Sequence, residues 1–244
     1  MWRHDLNMTG PDDAFGDALL DVMAGGTGAH VVERDDGHVF LFSSADPYFG
    51  DSTSFAPIES SALEHLSGRV LDIGAGAGRF ALEAQSRGLE VAALDDSAGA
   101  AQVCRDRGVD RVVNTSFHLY EPDTGFDTFL MMGHNLGLLA PDPVRSLDRI
   151  RAFARPGARI VGTTRDPYAT EDPAHLAYHQ MNRARGRRPG HIVMRIRRRE
   201  LIGPWFDYLF CSEAELADIA SEAGWTAEII ERDEVRYLAV LTMS

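Results

Sequence analysis

From residue 13 to residue 23 apolar side chains fall at helical spacing (Phe15, Leu19, Leu20, Met23), and Ala24-Gly25-Gly26 then stops the helix. Two extended runs follow, residues 29–33 and 38–42, on either side of Asp35-Asp36-Gly37, a hairpin turn signal. Residues 44–55, rich in Ser, Asp and aromatics, predict a loop, and residues 58–66 return to the helical period. From Arg69 onward short apolar runs alternate with amphipathic ones. Strands are predicted at 69–73, 90–94, 111–113, 128–132 and 159–163, with helices near 79–87, 97–107 and 143–154. Strands separated by helices of that length imply βαβ units, a parallel sheet and right-handed crossovers.

After the fifth strand the alternation breaks. Asp172 and Pro173 supply a cap and a first-turn residue for a helix to about residue 185. A turn at 186–190 and two extended runs, 191–198 and 203–210, come next. Ser212 and Glu215 form a capping box for a helix over 213–223, which Gly224 ends. Residues 225–231 and 235–243 predict a closing antiparallel pair, and there is no internal repeat or low-complexity linker. The pattern divides the chain into an extension over 1–57, containing a helix and a hairpin, and a main domain over 58–244 with an insert at about 166–211.

The most informative stretch is Val70-Leu71-Asp72-Ile73-Gly74-Ala75-Gly76-Ala77-Gly78-Arg79-Phe80, three glycines at alternate positions between a strand and a helix. Such a loop lets backbone approach a ligand and points helix N-terminal amides at it. Asp72 precedes it, and Asp95 ends the next strand about 20 residues on, where a ribose-binding carboxylate is expected. A loop that holds pyrophosphate reads G-x-G-x-x-G with no acid before it, because a carboxylate there repels phosphate. The present D-x-G-x-G-x-G suits a ligand carrying an ammonium or another cation.

Composition narrows the chemistry further. The 244 residues are 44% apolar and 25% charged, an ordinary globular balance, with a net charge of −13. All 24 basic residues are Arg, a bias that fits a GC-rich coding sequence. Without lysine there is no Schiff-base lysine and no Walker lysine. The acids dominate except in residues 183–199, which hold eight Arg and no acid, so a partner with a phosphate backbone is not expected. No apolar run approaches the ~18 residues that span a bilayer, and Met1–Gly10 lacks the apolar core of a signal peptide. These features lead us to expect a cytoplasmic protein with no membrane partner. Cys104 and Cys211 lack C-x-x-C spacing and read as reduced thiols.

Residues 72–78 resemble the first motif of the class I S-adenosylmethionine-dependent methyltransferases, and Val91-Ala92-Ala93-Leu94-Asp95-Asp96-Ser97 resembles the second. The similarity covers roughly residues 58–165 by order of elements, and the closing pair is similar to the family's reversed hairpin. It implies an α/β, Rossmann-like fold: a seven-stranded, mostly parallel sheet with that hairpin at its C-terminal end and helices on both faces. The cofactor implied is S-adenosyl-L-methionine. By this resemblance Asp72, Gly74, Ala75, Gly76 and Gly78 would hold its methionine moiety, Asp95 the ribose hydroxyls, and Asp96 and Ser97 would lie beside the adenine. The family's third motif puts an Asp after the third strand. Here Asn114-Thr115-Ser116-Phe117 stands there, which assigns Ser116 and Phe117 to the adenine. Gly133, His134 and Asn135 follow the fourth strand and would reach the methyl-transfer face. The Asn/Asp-Pro-Pro-aromatic variant used on DNA and exocyclic amines is missing, which disfavours nucleobases.

In-line displacement at a sulfonium carbon needs mainly a positioned acceptor, with a base only if the acceptor must lose a proton. His134 is the candidate base by position, against a packing role beneath the cofactor. Tyr48 and Phe49 of the extension, Arg165 after the fifth strand, and Tyr178 and Trp205 of the insert are candidate acceptor contacts. His175 and His179 share a helical face, but the intervening Glu of a metalloprotease helix is absent and no metal is expected. The resemblance implies methyl transfer to a small-molecule or peptide acceptor, with secondary-metabolite tailoring in a GC-rich bacterium as the setting. The alternatives are a non-methylating reaction such as cyclisation on the same fold, or a cofactor-binding regulator. The sequence leaves the oligomeric state open.

Overall fold

The computed structural model describes residues 12–243; the start of the expected extension, Met1–Gly10 included, lies outside them. Helix α1 (Ala14–Met23) begins where the Asp13 carboxylate accepts the Gly16 N–H at 2.8 Å. The hairpin β1 (His30–Arg34) and β2 (Val39–Phe42) turns through Gly37 at φ +87°. The stretch expected as a loop contains a short helix α2 (Ala45–Phe49) and a 3-10 turn (Ser52–Ser54). Two distant arginines hold the α2 backbone: Arg107 donates to the Tyr48 and Phe49 carbonyls, and Arg79 to Pro47. Local composition could not predict a helix stabilised in that way. Helix α3 (Pro57–Glu64) follows, with the Glu59 carboxylate accepting the Ala56 N–H at 2.9 Å.

The alternating part reads β3 (Arg69–Ile73), α4 (Arg79–Ser86), β4 (Glu90–Asp95), α5 (Ala98–Asp106), β5 (Val112–Asn114), β6 (Phe126–Met131), a 3-10 turn (Asn135–Leu139), α6 (Pro143–Arg151) and β7 (Ala154–Arg165). Strand β7 starts five residues earlier than expected, because Arg155, Pro156 and Gly157 are exposed and carry no apolar signal. The chain continues through α7 (Pro173–Ala184), β8 (His191–Arg198), β9 (Leu201–Ile202), β10 (Phe206–Leu209), α8 (Glu213–Glu222), β11 (Trp225–Arg232) and β12 (Arg236–Met243). Asp172 caps α7, and Ser212 with Glu215 closes the box on α8.

Seven strands make the central sheet in the order β11-β12-β7-β6-β3-β4-β5. β3 to β7 pair in parallel, while β12 runs antiparallel to β7 and β11 to β12. This is the α/β, Rossmann-like, mostly parallel sheet with a reversed C-terminal hairpin that the sequence implied. Every residue of β3 is buried, as both-sided helix cover requires. Phe126, Phe129, Leu147, Ile150 and Trp225 fill one side of the sheet, and Ile58, Ala81, Val91 and Leu130 the other.

The hairpin and the insert meet in a second sheet, ordered β10-β8-β1-β2 with β9 against β8. In this cap, β1 pairs antiparallel with β8 from Val31↔Arg197 to Arg34↔Met194. The basic island of residues 183–199 fastens the two parts. Arg185 pairs with Asp35 at 3.1 Å, Arg195 and Arg197 with Glu33 at 2.9 and 3.1 Å, and Arg199 with Asp21 at 2.9 Å. Arg198 is buried and reaches Asp17 at 2.7 Å, Asp21 at 2.9 Å and the Ala29 carbonyl at 2.6 Å. The cap is anchored below by α1, whose Gly16 lies so close to Gly99 that a Cβ on either would meet the other's backbone at 2.7 Å or less.

Candidate active site

At the C-terminal ends of the parallel strands the glycine loop folds back across β4. Both Gly74 N–H (2.8 Å) and Ala75 N–H (3.1 Å) donate to the Leu94 carbonyl. Gly74, Gly76 and Gly78 have φ of +73°, +58° and +77°, and a Cβ on Gly74 would stand 2.6 Å from Asn135 Nδ2. The two motifs are joined by Asp95, whose Oδ2 accepts the Gly76 N–H at 2.8 Å and whose Oδ1 accepts the Ser97 N–H at 2.9 Å. Beneath the loop Asp72 is 2% exposed, and its Oδ2 has no hydrogen-bond partner.

A cleft opens beside this junction. Of the predicted residues, Gly74, Asp95, Asp96, Ser116 and Phe117 line it. Thr115, from the stretch at the third-motif position, lines it as well, and so do His118 and Leu138, which no motif marks. No arginine does, so its carboxylates have no cation beside them in the lining. Burial pushes Asp72 up to about 7. Burial, then Asp96, raises Asp95; burial, then Asp13, raises Asp96. Such a cleft repels phosphate and is relieved by a cationic ligand.

The remaining predicted residues fall into distinct roles. Ala75 is committed to the loop through Leu94, and Gly78 starts α4 against Val109 and Cys104. Ser97 does not line the cleft: its Oγ accepts the Ala100 N–H at the start of α5 and donates to Asp13 at 2.8 Å. Asp13, which the sequence reading missed, also accepts the Gly99 N–H at 2.9 Å and so ties α1 to the second motif. Asn135 braces the loop, donating to the Ile73 and Gly74 carbonyls at 3.1 and 2.8 Å. Its Oδ1 accepts from the hydroxyl of Tyr208, on β10, at 3.3 Å, so the cap touches the glycine loop through one intermediary. From the other side Tyr48 of α2 covers Gly76, and burial then Asp95 pushes its phenol up to about 12.

Gly133 and His134, at the end of β6, both take left-handed φ, +66° and +71°. A histidine there is an uncommon conformation, fixed by the His134 N–H donating to Thr163 Oγ1 at 3.0 Å. Its Nδ1 is buried without a hydrogen-bond partner. Burial, then Arg165 and Arg236, push the ring down to about 4, so it is neutral at physiological pH. Phe210 meets this ring edge-on at 5.9 Å and lies 5.6 Å from the Arg165 guanidinium.

Three acceptor candidates are engaged elsewhere. Tyr178 is buried, its hydroxyl donating to Asp35 at 2.6 Å and accepting the Val193 N–H, which locks α7 to the cap. Trp205 lies under Arg195 at 4.4 Å, and Phe49 under Arg107 at 5.0 Å. A bulky aromatic on an insert satisfies packing as readily as binding, and sequence spacing does not separate the two. His175 contacts Thr170 through Nδ1, and the His179 ring packs on Tyr168.

Residues 70–157 match the model of a methyltransferase domain. Among solved structures the chain is similar to an S-adenosylmethionine-dependent methyltransferase from Bacteroides fragilis in complex with S-adenosyl-L-homocysteine: 26% identity, TM-score 0.81, covering 96% of this chain and 95% of that one. It shares its fold with the glycopeptide N-methyltransferase MtfA complexed with S-adenosyl-L-methionine (17%, TM-score 0.55, 81% and 98%). It shares it also with 1,6-didemethyltoxoflavin-N1-methyltransferase from Burkholderia thailandensis (20%, TM-score 0.52, 77% of each chain). No curated protein sequence matches. Domain and fold together define the class: the protein is an S-adenosylmethionine-dependent methyltransferase.

Proposed function

We propose that the protein methylates a small-molecule or peptide acceptor in secondary metabolism, working in the reducing cytoplasm of a GC-rich bacterium. The observation that carries the size of the acceptor is the cap, which brings Tyr208 and Phe210 from the insert and Tyr48 from the extension over the strand ends. A cover of this kind admits a compact molecule and has no open basic groove for a polymer. Proteins of the same fold act on a glycopeptide and on a didemethyltoxoflavin, a likeness of fold alone.

The residues present fit the cofactor. S-adenosylmethionine supplies the electrophilic methyl group. The unpaired Asp72 oxygen and the glycine backbone suit its cationic methionine end, Asp95 its ribose, and Asp96, Ser116 and Phe117 its adenine. Gly133 and His134 would face the transfer side. The neutral His134 ring would orient an acceptor hydroxyl or amine through a ring nitrogen. Isothermal titration of S-adenosylhomocysteine tests the reading: micromolar binding to the wild type and at least about tenfold weaker binding to Asp95→Ala are expected. No binding to the wild type would sink it, and products that lack an added CH2 unit would move the protein to a non-methylating reaction.

A further inference from the structure

The arginines around the acceptor side differ in what neutralises them. In residues 183–199, Arg185, Arg195, Arg197, Arg198 and Arg199 are all paired with acids of the extension. Arg236, which faces Arg165 across the β7–β12 register, is held by Asp233. Arg165 forms no ion pair among the described residues, although it is half-buried at the C-terminal end of β7. The carboxylate next to it, Asp166, is turned to the Tyr168 N–H at 2.8 Å. The guanidinium sits 5.6 Å from Phe210, whose ring also meets His134 at 5.9 Å and Tyr208 at 5.5 Å. It also lies close enough to His175 of α7 to contribute, after burial, to lowering that ring's pKa. A planar cation set beneath a cap, beside an aromatic face and without a counter-ion, is matched to an anionic group arriving with the ligand.

We propose that Arg165 reads the acceptor, and that the acceptor is a small carboxylic acid: its carboxylate pairs bidentately with Arg165 while its body packs on Phe210. The inference rests on the methyltransferase reading and adds the substrate class. A monoanion is favoured over a phosphate because Asp166 and Asp233, in a chain of net charge −13, repel a dianion more strongly than a single carboxylate. Two carboxylate oxygens also fit the guanidinium fork, which a lysine point charge would not offer.

The test uses protein saturated with S-adenosylhomocysteine, titrated with benzoate, 4-hydroxybenzoate and phenylacetate and with the amide of each. In the wild type the best-binding acid is expected to exceed its amide by about tenfold or more. In Arg165→Gln the two should bind within about twofold of each other, and in Arg165→Lys the ratio should fall at least about threefold, since charge remains and the fork is lost. Melting curves confirm that each variant is folded, and if Arg165→Gln fails to fold, Arg165→Lys alone decides. An acid-to-amide ratio near one in the wild type, a ratio unchanged in the variants, or a panel in which no acid binds overturns the proposal. Failure to bind S-adenosylhomocysteine in the first titration overturns the methyltransferase reading instead, so the two failures are separable.

Discussion

Asp72→Asn isolates the electrostatic cost of the ligand-free site. The carboxyl is 2% exposed, one oxygen lacks any partner, and burial raises its pKa from 3.8 to about 7. Its folded value lies above the unfolded one, so the stability it contributes is complete below about pH 4 and is lost as pH rises through about 7. Three units at about 1.4 kcal/mol each set an upper bound of ~4 kcal/mol, and partial entry of water halves it to ~2 kcal/mol. For a chain of this size ~2 kcal/mol corresponds to about 4–8 °C in melting temperature. The assay is thermal unfolding of both proteins without cofactor at pH 5 and pH 8.5. The wild type should melt lower at pH 8.5, a trend that Asp95 and Asp96, raised in the same direction, reinforce. About two of those units fall between pH 5 and pH 8.5, so the Asn variant should gain about 3–6 °C on the wild type between the two pH values while binding S-adenosylmethionine more weakly. A difference between the proteins that does not change with pH would refute the reasoning.

Further expectations concern the loop, the fastener and the histidine. Gly74→Ala forces a Cβ to φ +73° and to 2.6 Å from Asn135 Nδ2; it should cost ~1–3 kcal/mol in thermal unfolding and abolish S-adenosylhomocysteine binding by calorimetry. Arg198→Met leaves Asp17 and Asp21 without their buried partner, an expected loss of ~2 kcal/mol. Chymotrypsin should then cleave the hairpin at Phe40 or Phe42 faster than in the wild type, and an unchanged cleavage rate would contradict the fastening role. Because His134 is pushed down to about 4, any inflection of kcat/KM between pH 6 and 7 should come from the cofactor-site carboxyls and persist in His134→Gln. An inflection there that disappears in His134→Gln would show that the ring titrates in the ordinary range.

What could be read from the sequence was what neighbouring residues decide. The alternation from β3 to β7, the Asp172 cap and the capping box at Ser212 each rest on one element or on its immediate neighbours. What could not be read depends on contacts between distant segments. Asp13 meets Ser97 and Gly99 across more than 80 residues, and Tyr208 meets Asn135 across 73. No local pattern announces either: the motif assigns Ser97 to the adenine, and the structure engages its hydroxyl with α5 and Asp13. The composition of α2 predicts a loop because its stabilising arginines lie at the start of α4 and just past α5. The basic island was legible as composition only; its purpose appears once the acids of α1 and β1 lie against it.

The pairing of β1 with β8 also orders events in time. Glu33 and Arg195, partners across that seam, are 162 residues apart in the chain. A ribosome therefore releases the hairpin long before the strand that completes its sheet, and the units from β3 to β5 can pair in the interval. The newborn enzyme would thus have a place for its methyl donor before it has walls around its acceptor. A chain stalled short of β8 is predicted to carry the glycine loop and Asp95 with their transfer side still open to water.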